Sequence, residues 1–243
     1  MGRQRLPIYG SKMDIVLMAG LWLPSSVWAD VAAELEALGH RGRVVDLPGV
    51  DDGAIEATLE DQLRAALAIV DSSDRPLVVG HSAASALAWL VADRRPSSIA
   101  GTVMIGGFPT SGRSRYADFF EIVDGVMPFP GWEPFEGPDS ADLDVAAKAA
   151  IEALAVPVPV GVAQAVVELG DDARFDVPTV MVCPEYTPED AKAWIDGGDI
   201  PELARAADVS FVDIDSGHWP MFTRPVDLAT ILANIAKRLS PLA

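Results

Sequence analysis

The sequence predicts an α/β fold, a mostly parallel and doubly wound sheet covered by helices on both faces, with one helical cap insertion. Short, nearly continuous apolar runs alternate along the chain with amphipathic stretches of helical period. Such uninterrupted apolar runs are typical of strands buried on both faces of a parallel sheet. The alternation is interrupted once, by a segment rich in Pro, Gly and aromatic residues. We therefore expect one domain that carries an insertion.

The first half of the chain repeats a strand-then-helix unit. Each of the first three apolar runs ends in Gly, and the helical pattern after the first run is closed by Gly39. Thr58, with Asp61 three residues later, offers a start like a capping box to the second helix. These patterns predict strand 14–20 with a helix in 27–40, strand 42–49 with helix 59–71, and strand 75–80 with helix 83–93.

The second half contains the insertion and the remaining strands. A helix is also predicted within the insertion, at 141–155, and a closing helix at 224–239 has Pro225 in its first turn. The predicted strands are 99–107, 177–183 and 208–215. We accordingly predict a core formed by 1–108 and 171–243, with 109–170 as the cap.

Composition limits the possible partners. Half of the 243 residues are hydrophobic and 22% are charged, which favours a globular chain with a sizeable core. The 36 acidic and 18 basic residues give a net charge of −18, which argues against nucleic acid or an anionic membrane as a partner. The single Cys183 excludes an intrachain disulfide, and three His with one Cys give no spacing typical of zinc. We expect a small-molecule substrate, no metal and no cofactor, while oligomeric state is not predicted.

The N-terminal residues show no targeting signal. Basic residues in 1–14 are not followed by an apolar segment, and no run of about 18 apolar residues occurs in the chain. Leu6 stands where the myristoylation pattern requires Ser or Thr. A cytoplasmic protein is the expectation.

Ser82 lies where the third predicted strand becomes a helix, within LVVGHSAASALAWL (77–90). Ligands of open parallel sheets bind at the carboxyl ends of the strands. A sharp turn at this point can expose a nucleophilic Ser, provided that the residues two before and two after it are small. Gly80 and Ala84 meet this requirement. The alternative is that the hydroxyl of Ser82 only caps the helix.

His218 is the candidate base for Ser82. A Ser hydroxyl needs a base within hydrogen-bond reach, and that base is itself oriented by a carboxylate. His218 follows the last predicted strand, whereas His40 follows a helix end and His81 either shapes the pocket or packs. The alternative for His218 is simple packing against Trp219.

Three segments together resemble the α/β-hydrolase fold family over nearly the whole chain. They are Gly80-His81-Ser82-Ala83-Ala84, Gly217-His218-Trp219-Pro220 and Ala19-Gly20-Leu21-Trp22. The resemblance implies a Ser-His-acid triad and an oxyanion hole formed by the backbone amides of Leu21 and Ala83. Ala84 replaces the usual Gly of the family, and Ala19 replaces the usual His but leaves the backbone donor in place.

The resemblance also implies an acid after the strand 177–183. Glu185 is the first carboxylate beyond that strand, although many relatives place the acid slightly later, where Tyr186 and Thr187 stand. Glu189 and Asp190 follow and are explained by the start of a helix, where acidic residues are favourable. We therefore expect Glu185 to be the third member of the triad.

A serine hydrolase is the function that the resemblance implies, acting on a small, largely apolar ester, thioester or lactone. Aromatic residues are expected to line the pocket together with His81, and some of them only anchor the cap on the core. Hydroxynitrile lyase-like, C–C hydrolase or cyclase chemistry and a non-catalytic ligand-binding member stay open as alternatives. The lyase alternative requires a Lys near the acid, and Lys192 lies further along the next helix. The expected pocket aromatics are Trp22, Phe119, Phe120, Phe129, Trp132, Phe135 and Trp219.

Overall fold

A computed structural model describes residues 12–240, and a parallel sheet of six strands lies at its centre. The sheet has the strand order β2-β1-β3-β4-β7-β8, and all of its neighbouring strands pair in parallel. Two further strands form a separate antiparallel ribbon, β5 with β6. The strands are β1 (Asp14–Met18), β2 (Arg41–Val44), β3 (Leu77–His81), β4 (Gly101–Ile105), β5 (Val126–Met127), β6 (Val158–Pro159), β7 (Thr179–Cys183) and β8 (Val209–Asp213).

Helices cover both faces of the sheet, as the sequence predicts. α1 and α9 pack together on one face, and α2 packs with α3 on the other. Successive strand residues point to opposite faces, so Ile15 and Leu17 belong to one apolar cluster while Val16 and Met18 belong to the other. The helices are α1 (Ala29–Ala37), α2 (Leu59–Asp71), α3 (Ala84–Arg94), α4 (Val145–Leu154), α5 (Val160–Ala163), α6 (Pro188–Gly197), α7 (Pro201–Arg205), α8 (Pro220–Thr223) and α9 (Pro225–Leu239).

The predicted strands and helices are all present, with ends within about three residues of the structure, except at the second strand and at the start of α4, which begins at Val145 instead of position 141. The predicted capping box is present, because Thr58 Oγ1 accepts from the Asp61 amide at 3.2 Å and Asp61 Oδ2 accepts from the Thr58 amide at 3.0 Å. β2 ends at Val44 instead of position 49. Beyond it the chain turns, since the Asp51 carboxylate accepts a hydrogen bond from the Leu47 amide at 2.7 Å.

The insertion (109–170) lies between β4 and β7 and contains β5, β6, α4 and α5. Asp144 caps α4 by accepting from the Ala147 amide at 2.8 Å. The division of the chain into core and cap at these boundaries stays a prediction. No helix within 12–240 has the length and apolar character needed to span a bilayer. The N-terminal residues that bear on targeting, including Leu6, lie outside the described residues.

A buried polar network fixes the point at which the insertion returns to the core. Asp93, near the end of α3, accepts hydrogen bonds from the amides of Gly170 and Asp171, each at 2.9 Å. Arg174 donates to Asp93 at 3.3 Å and to Glu202 at 3.1 Å. All three charged side chains are buried, and Arg174 is the buried cation that neutralises both carboxylates, while Arg94 pairs with Asp93 from the partly exposed side.

Replacing Arg174 by Leu is expected to lower the free energy of unfolding by about 3 kcal/mol or more, because the carboxylates of Asp93 and Glu202 would lose a buried partner. Chemical denaturation of the two proteins measures the difference. Arg64→Leu is the matched control, since Arg64 pairs with Asp61 on the surface and its loss should cost less than about 1 kcal/mol. Equal effects of the two substitutions would contradict a structural role for the buried network.

Candidate active site

Ser82 occupies a strained turn between β3 and α3. Its backbone φ is +53°, in the left-handed region that non-glycine residues rarely adopt. The Ser82 amide donates to the carbonyl of Ile105 at 2.8 Å, which ties the turn to the end of β4. The side chain is half-buried at the carboxyl edge of the sheet. This turn places the hydroxyl where the strands of a parallel sheet present ligand-binding groups.

The turn requires small residues around Ser82. A Cβ on Gly80 would lie 2.1 Å from the carbonyl oxygen of Ala84, so strand and helix approach too closely for any side chain there. A Cβ on Gly107, after β4, would lie 2.2 Å from the Ser82 carbonyl oxygen. Ala84 itself is completely buried, and its methyl group is accommodated. The local sequence therefore explains the strained position of the hydroxyl.

His218 and Glu185 form a hydrogen-bonded pair. Nδ1 of His218 lies 2.8 Å from Oε1 of Glu185, and each side chain is 13% exposed. Since an ionised carboxylate only accepts, Nδ1 carries the proton and Nε2 is left as the basic nitrogen. Glu185 lies two residues beyond β7, and His218 lies in the loop after β8. The structure thus brings together the two residues that the sequence predicts as base and acid.

Gly106 lies directly against this pair and was not predicted as a site residue. Its φ is +56°, and a Cβ there would approach Nδ1 of His218 to 3.1 Å and Oε2 of Glu185 to 3.2 Å. A larger residue would push the pair apart. In the sequence, the two adjacent glycines after the fourth strand, Gly106 and Gly107, could have indicated this close approach.

Glu189 and Asp190 belong to the start of α6. Asp190 completes a capping box with Thr187, whose Oγ1 accepts from the Asp190 amide at 3.1 Å. The hydrogen bonds from Thr187 lower the pKa of the Asp190 carboxyl below its usual value. Glu189 is exposed. Both residues therefore stabilise the helix terminus and make no hydrogen bond to His218 among the described residues.

The loop after β1 brings the predicted oxyanion donors together with the turn. A Cβ on Gly20 would lie only 2.9 Å from the Cβ of Ser82, so this loop contacts the turn directly. No backbone carbonyl in the described part of the chain accepts from the amides of Leu21 or Ala83. That these two N–H groups form an oxyanion hole stays a prediction.

The sequence matches a family described as the alpha/beta hydrolase family over residues 15–231. The chain belongs to the alpha/beta hydrolase family. Among curated proteins, Methylesterase 4 of Arabidopsis thaliana is 31% identical over 130 residues, which are 50% of this chain and 49% of the relative. Methylesterase 7 of the same plant is 32% identical over 106 residues, covering 40% and 41% of the two chains. The chain thus spans about half the length of the curated relatives it matches.

Solved structures share the fold of this alpha/beta hydrolase. An extracellular alpha/beta-hydrolase from a Paenibacillus species superposes with a TM-score of 0.75 at 17% identity, covering 91% of this chain and 98% of that one. It is described as sharing structural and functional homology with tobacco salicylic acid binding protein 2. A pyrethroid hydrolase from Sphingobium faniae gives a TM-score of 0.68 at 18% identity, with coverages of 93% and 98%.

An aromatic cluster connects the insertion of this alpha/beta hydrolase with two loops of the site. Ring centroids of Trp22 and Phe120 lie 5.4 Å apart, and those of Trp132 and Trp219 lie 5.2 Å apart. Phe119 is 65% exposed and lies outside this cluster. These rings therefore contact one another extensively, as expected of residues that anchor the insertion on the core. The aromatic cluster consists of Trp22, Phe120, Phe129, Trp132, Phe135 and Trp219.

Hydrogen bonds also connect the insertion to both loops of the hydrolase site. The carbonyl of Asp139 accepts from the His218 amide at 2.8 Å. Trp22, whose φ is +65°, donates from Nε1 to the Met127 carbonyl at 3.1 Å and accepts from the Val156 amide at 2.8 Å. Burial, with Glu185 nearby, raises the pKa of the Asp139 carboxyl. No local sequence pattern marks Asp139, because its hydrogen bond is to His218, which is distant in the sequence.

Cys183, at the end of β7, is not a competing nucleophile. Its thiol is completely buried, and burial together with surrounding carboxylates raises its pKa to about 12. The thiolate, which is the reactive form, is therefore scarce at neutral pH.

Glu185→Gln is expected to lower kcat by on the order of a hundredfold or more, because it removes the charge that stabilises the imidazolium of His218 and favours the other tautomer. The apparent affinity for substrate should change little, which steady-state kinetics on an ester will show. Asp190→Asn is the matched control and should leave kcat unchanged while lowering stability slightly through the weakened capping box. A normal kcat for Glu185→Gln beside a large loss for Asp190→Asn would mean that the acid is misassigned.

Proposed function

We propose that the protein hydrolyses a small, largely apolar carboxylic ester through an acyl-enzyme formed on Ser82. The observation that carries the proposal is the strained turn at Ser82 together with the 2.8 Å hydrogen bond between His218 and Glu185. A nucleophile at a strand end, with a base oriented by a carboxylate, is the arrangement that acyl transfer requires.

Acylation begins with attack of Ser82 Oγ on the ester carbonyl carbon. His218 Nε2 takes the hydroxyl proton, and Glu185 stabilises the resulting imidazolium through Nδ1. The amides of Leu21 and Ala83 donate to the carbonyl oxygen as it becomes negative. Collapse of the tetrahedral intermediate breaks the C–O bond to the alcohol, which leaves with the proton from His218.

Deacylation repeats these steps with water. His218 removes a proton from the water as its oxygen attacks the acyl carbon, and the same two amides stabilise the oxyanion. The acid is released, and Ser82 recovers its proton from His218. Water is the second substrate, and the proton transfers and oxyanion contacts in these steps are assigned to His218, Glu185 and the two amides.

The apolar character of the proposed substrate is supported by the aromatic residues that flank the site. Trp22 lies in the loop after β1 and Trp219 follows His218, and both pack in the aromatic cluster. Such surroundings favour a neutral, apolar group over a charged one. The names of the curated relatives, which are methylesterases, support an ester of a small alcohol.

Lys192, on which the lyase alternative depends, is exposed on α6. Cytoplasmic location and a lack of nucleic-acid and membrane partners stay predictions.

Ser82→Ala is expected to lower ester turnover by roughly a thousandfold or more without loss of fold, since the members of a triad act as a unit. A chromogenic short-chain ester measures turnover, and circular dichroism compares the folds. A fluorophosphonate should label the native protein on Ser82 and leave the Ser82→Ala variant unmodified. Equal labelling of the two proteins would contradict the proposal.

Trp132→Ala is expected to change the ranking of esters by acyl-chain length, because it opens a space in the aromatic cluster that faces the His218 loop. The ratio of kcat/KM values across a chain-length series is the measurement. Phe119→Ala is the matched control, since Phe119 is an exposed aromatic of the same insertion and its loss should leave the ranking intact. An equal decrease for every ester with Trp132→Ala would argue against a role in selectivity.

A further inference from the structure

His81, directly before Ser82, donates a hydrogen bond to the backbone of His218. Its Nε2 lies 2.7 Å from the His218 carbonyl oxygen. A carbonyl oxygen only accepts, so the hydrogen must be on Nε2. Burial, with the nearby ring of His218, lowers the pKa of His81 to about 3. The imidazole is therefore neutral at ordinary pH, in a single tautomer, and cannot compete with His218 as a base.

The other nitrogen of His81 is left without a partner. Nδ1 is buried and makes no hydrogen bond within residues 12–240. It faces Gly20, where an added Cβ would approach Nδ1 to 2.8 Å. A buried acceptor without a donor destabilises the folded state, and an apolar residue in the same space would avoid this cost. The presence of His at this position is thus explained by the bond from Nε2 and not by packing.

Three different segments hold His218. Glu185, after β7, accepts from its ring, and the carbonyl of Asp139 in the insertion accepts from its backbone amide at 2.8 Å. His81 completes the set from the turn that carries Ser82. The bond from His81 therefore links the peptide of the base directly to the residue beside the nucleophile.

We propose that His81 is a positioning residue that sets the distance between His218 and Ser82 through its hydrogen bond to the His218 carbonyl. The inference rests on the proposed function, because it assigns His218 as the base for Ser82. Proton transfer requires the two groups within hydrogen-bond distance, and a misplacement of about 1 Å can reduce the rate by a hundredfold. His81 is not a catalytic residue, since it acts only through His218.

The test compares two substitutions that differ in their donor. His81→Phe keeps a planar ring but has no donor, whereas His81→Gln places an amide N–H near the position of Nε2. We expect kcat for a short-chain ester to fall about 10-fold to 100-fold in His81→Phe, with KM within about threefold of the native value. His81→Gln should recover most of the lost kcat. A general loss of structure would not be rescued by the donor alone.

His40→Phe is the matched control. His40 is also buried, at 2% exposed, and its Nδ1 also lacks a partner within 12–240, but it lies between α1 and β2. Its substitution should leave kcat unchanged even if stability falls. Urea unfolding of every variant separates effects on stability from effects on kcat. The downfield ¹H NMR signal of the proton between His218 and Glu185 should broaden or move in His81→Phe and stay in place in His40→Phe.

A native kcat in folded His81→Phe would overturn the inference, and so would a His81→Gln variant as slow as His81→Phe. If His81→Phe does not fold, His81→Met replaces it as the variant without a donor, with the same expectations. Ser82→Ala is assayed in parallel. If Ser82→Ala is inactive and His81→Phe has a native kcat, the inference about His81 is wrong but the proposed function stands. If Ser82→Ala retains native activity, the proposed function and the inference are both wrong.

Discussion

The close approach of β3 and α3 at Ser82 is the constraint on which the rest of the site depends. Ser82 adopts a φ of +53°, and the strand and helix on either side leave no room for a side chain at position 80. Two other segments then contact the same turn, through Gly20 after β1 and Gly107 after β4. Because parallel strands end at one edge of the sheet, these contacts bring the loop after β1 and the loop after β4 against the turn that carries the Ser82 hydroxyl. Glycine is therefore needed at positions 20 and 107, where an added Cβ would collide with the turn.

The insertion takes part in the geometry of the candidate site. Its Asp139 carbonyl accepts from the amide of His218, and its Val156 amide donates to the carbonyl of Trp22. The aromatic cluster adds apolar contact between the same partners. Displacement of the insertion would therefore break hydrogen bonds to the loop that carries His218 and to the loop after β1. The position of the insertion and the arrangement of these two loops are coupled by these bonds.

Most of the fold and part of the site could be predicted from the sequence, because their signals are local. A few neighbouring residues are enough to recognise the strands, the Thr58 capping box, and the positions of Ser82 and His218 after strands. The bond between Asp139 and His218 could not be predicted, since it depends on how the insertion folds back over the core. Phe119 and Phe120 illustrate the same limit of prediction from the sequence. They are neighbours in a segment without periodicity, yet the first is exposed and the second packs on Trp22.

α3 connects the chemistry of the site to the position of the insertion. It begins two residues after Ser82, and its last buried residue, Asp93, accepts from the amides of Gly170 and Asp171, where the insertion returns to the core. Every residue from Ala84 to Asp93 is buried, so the helix is fixed along its whole length. Small Ala side chains permit this close packing. Because α3 has small or apolar residues on all sides, it lacks the polar face of an amphipathic surface helix. In this protein the buried helix α3 therefore joins the strained turn at Ser82 to the buried carboxylate of Asp93.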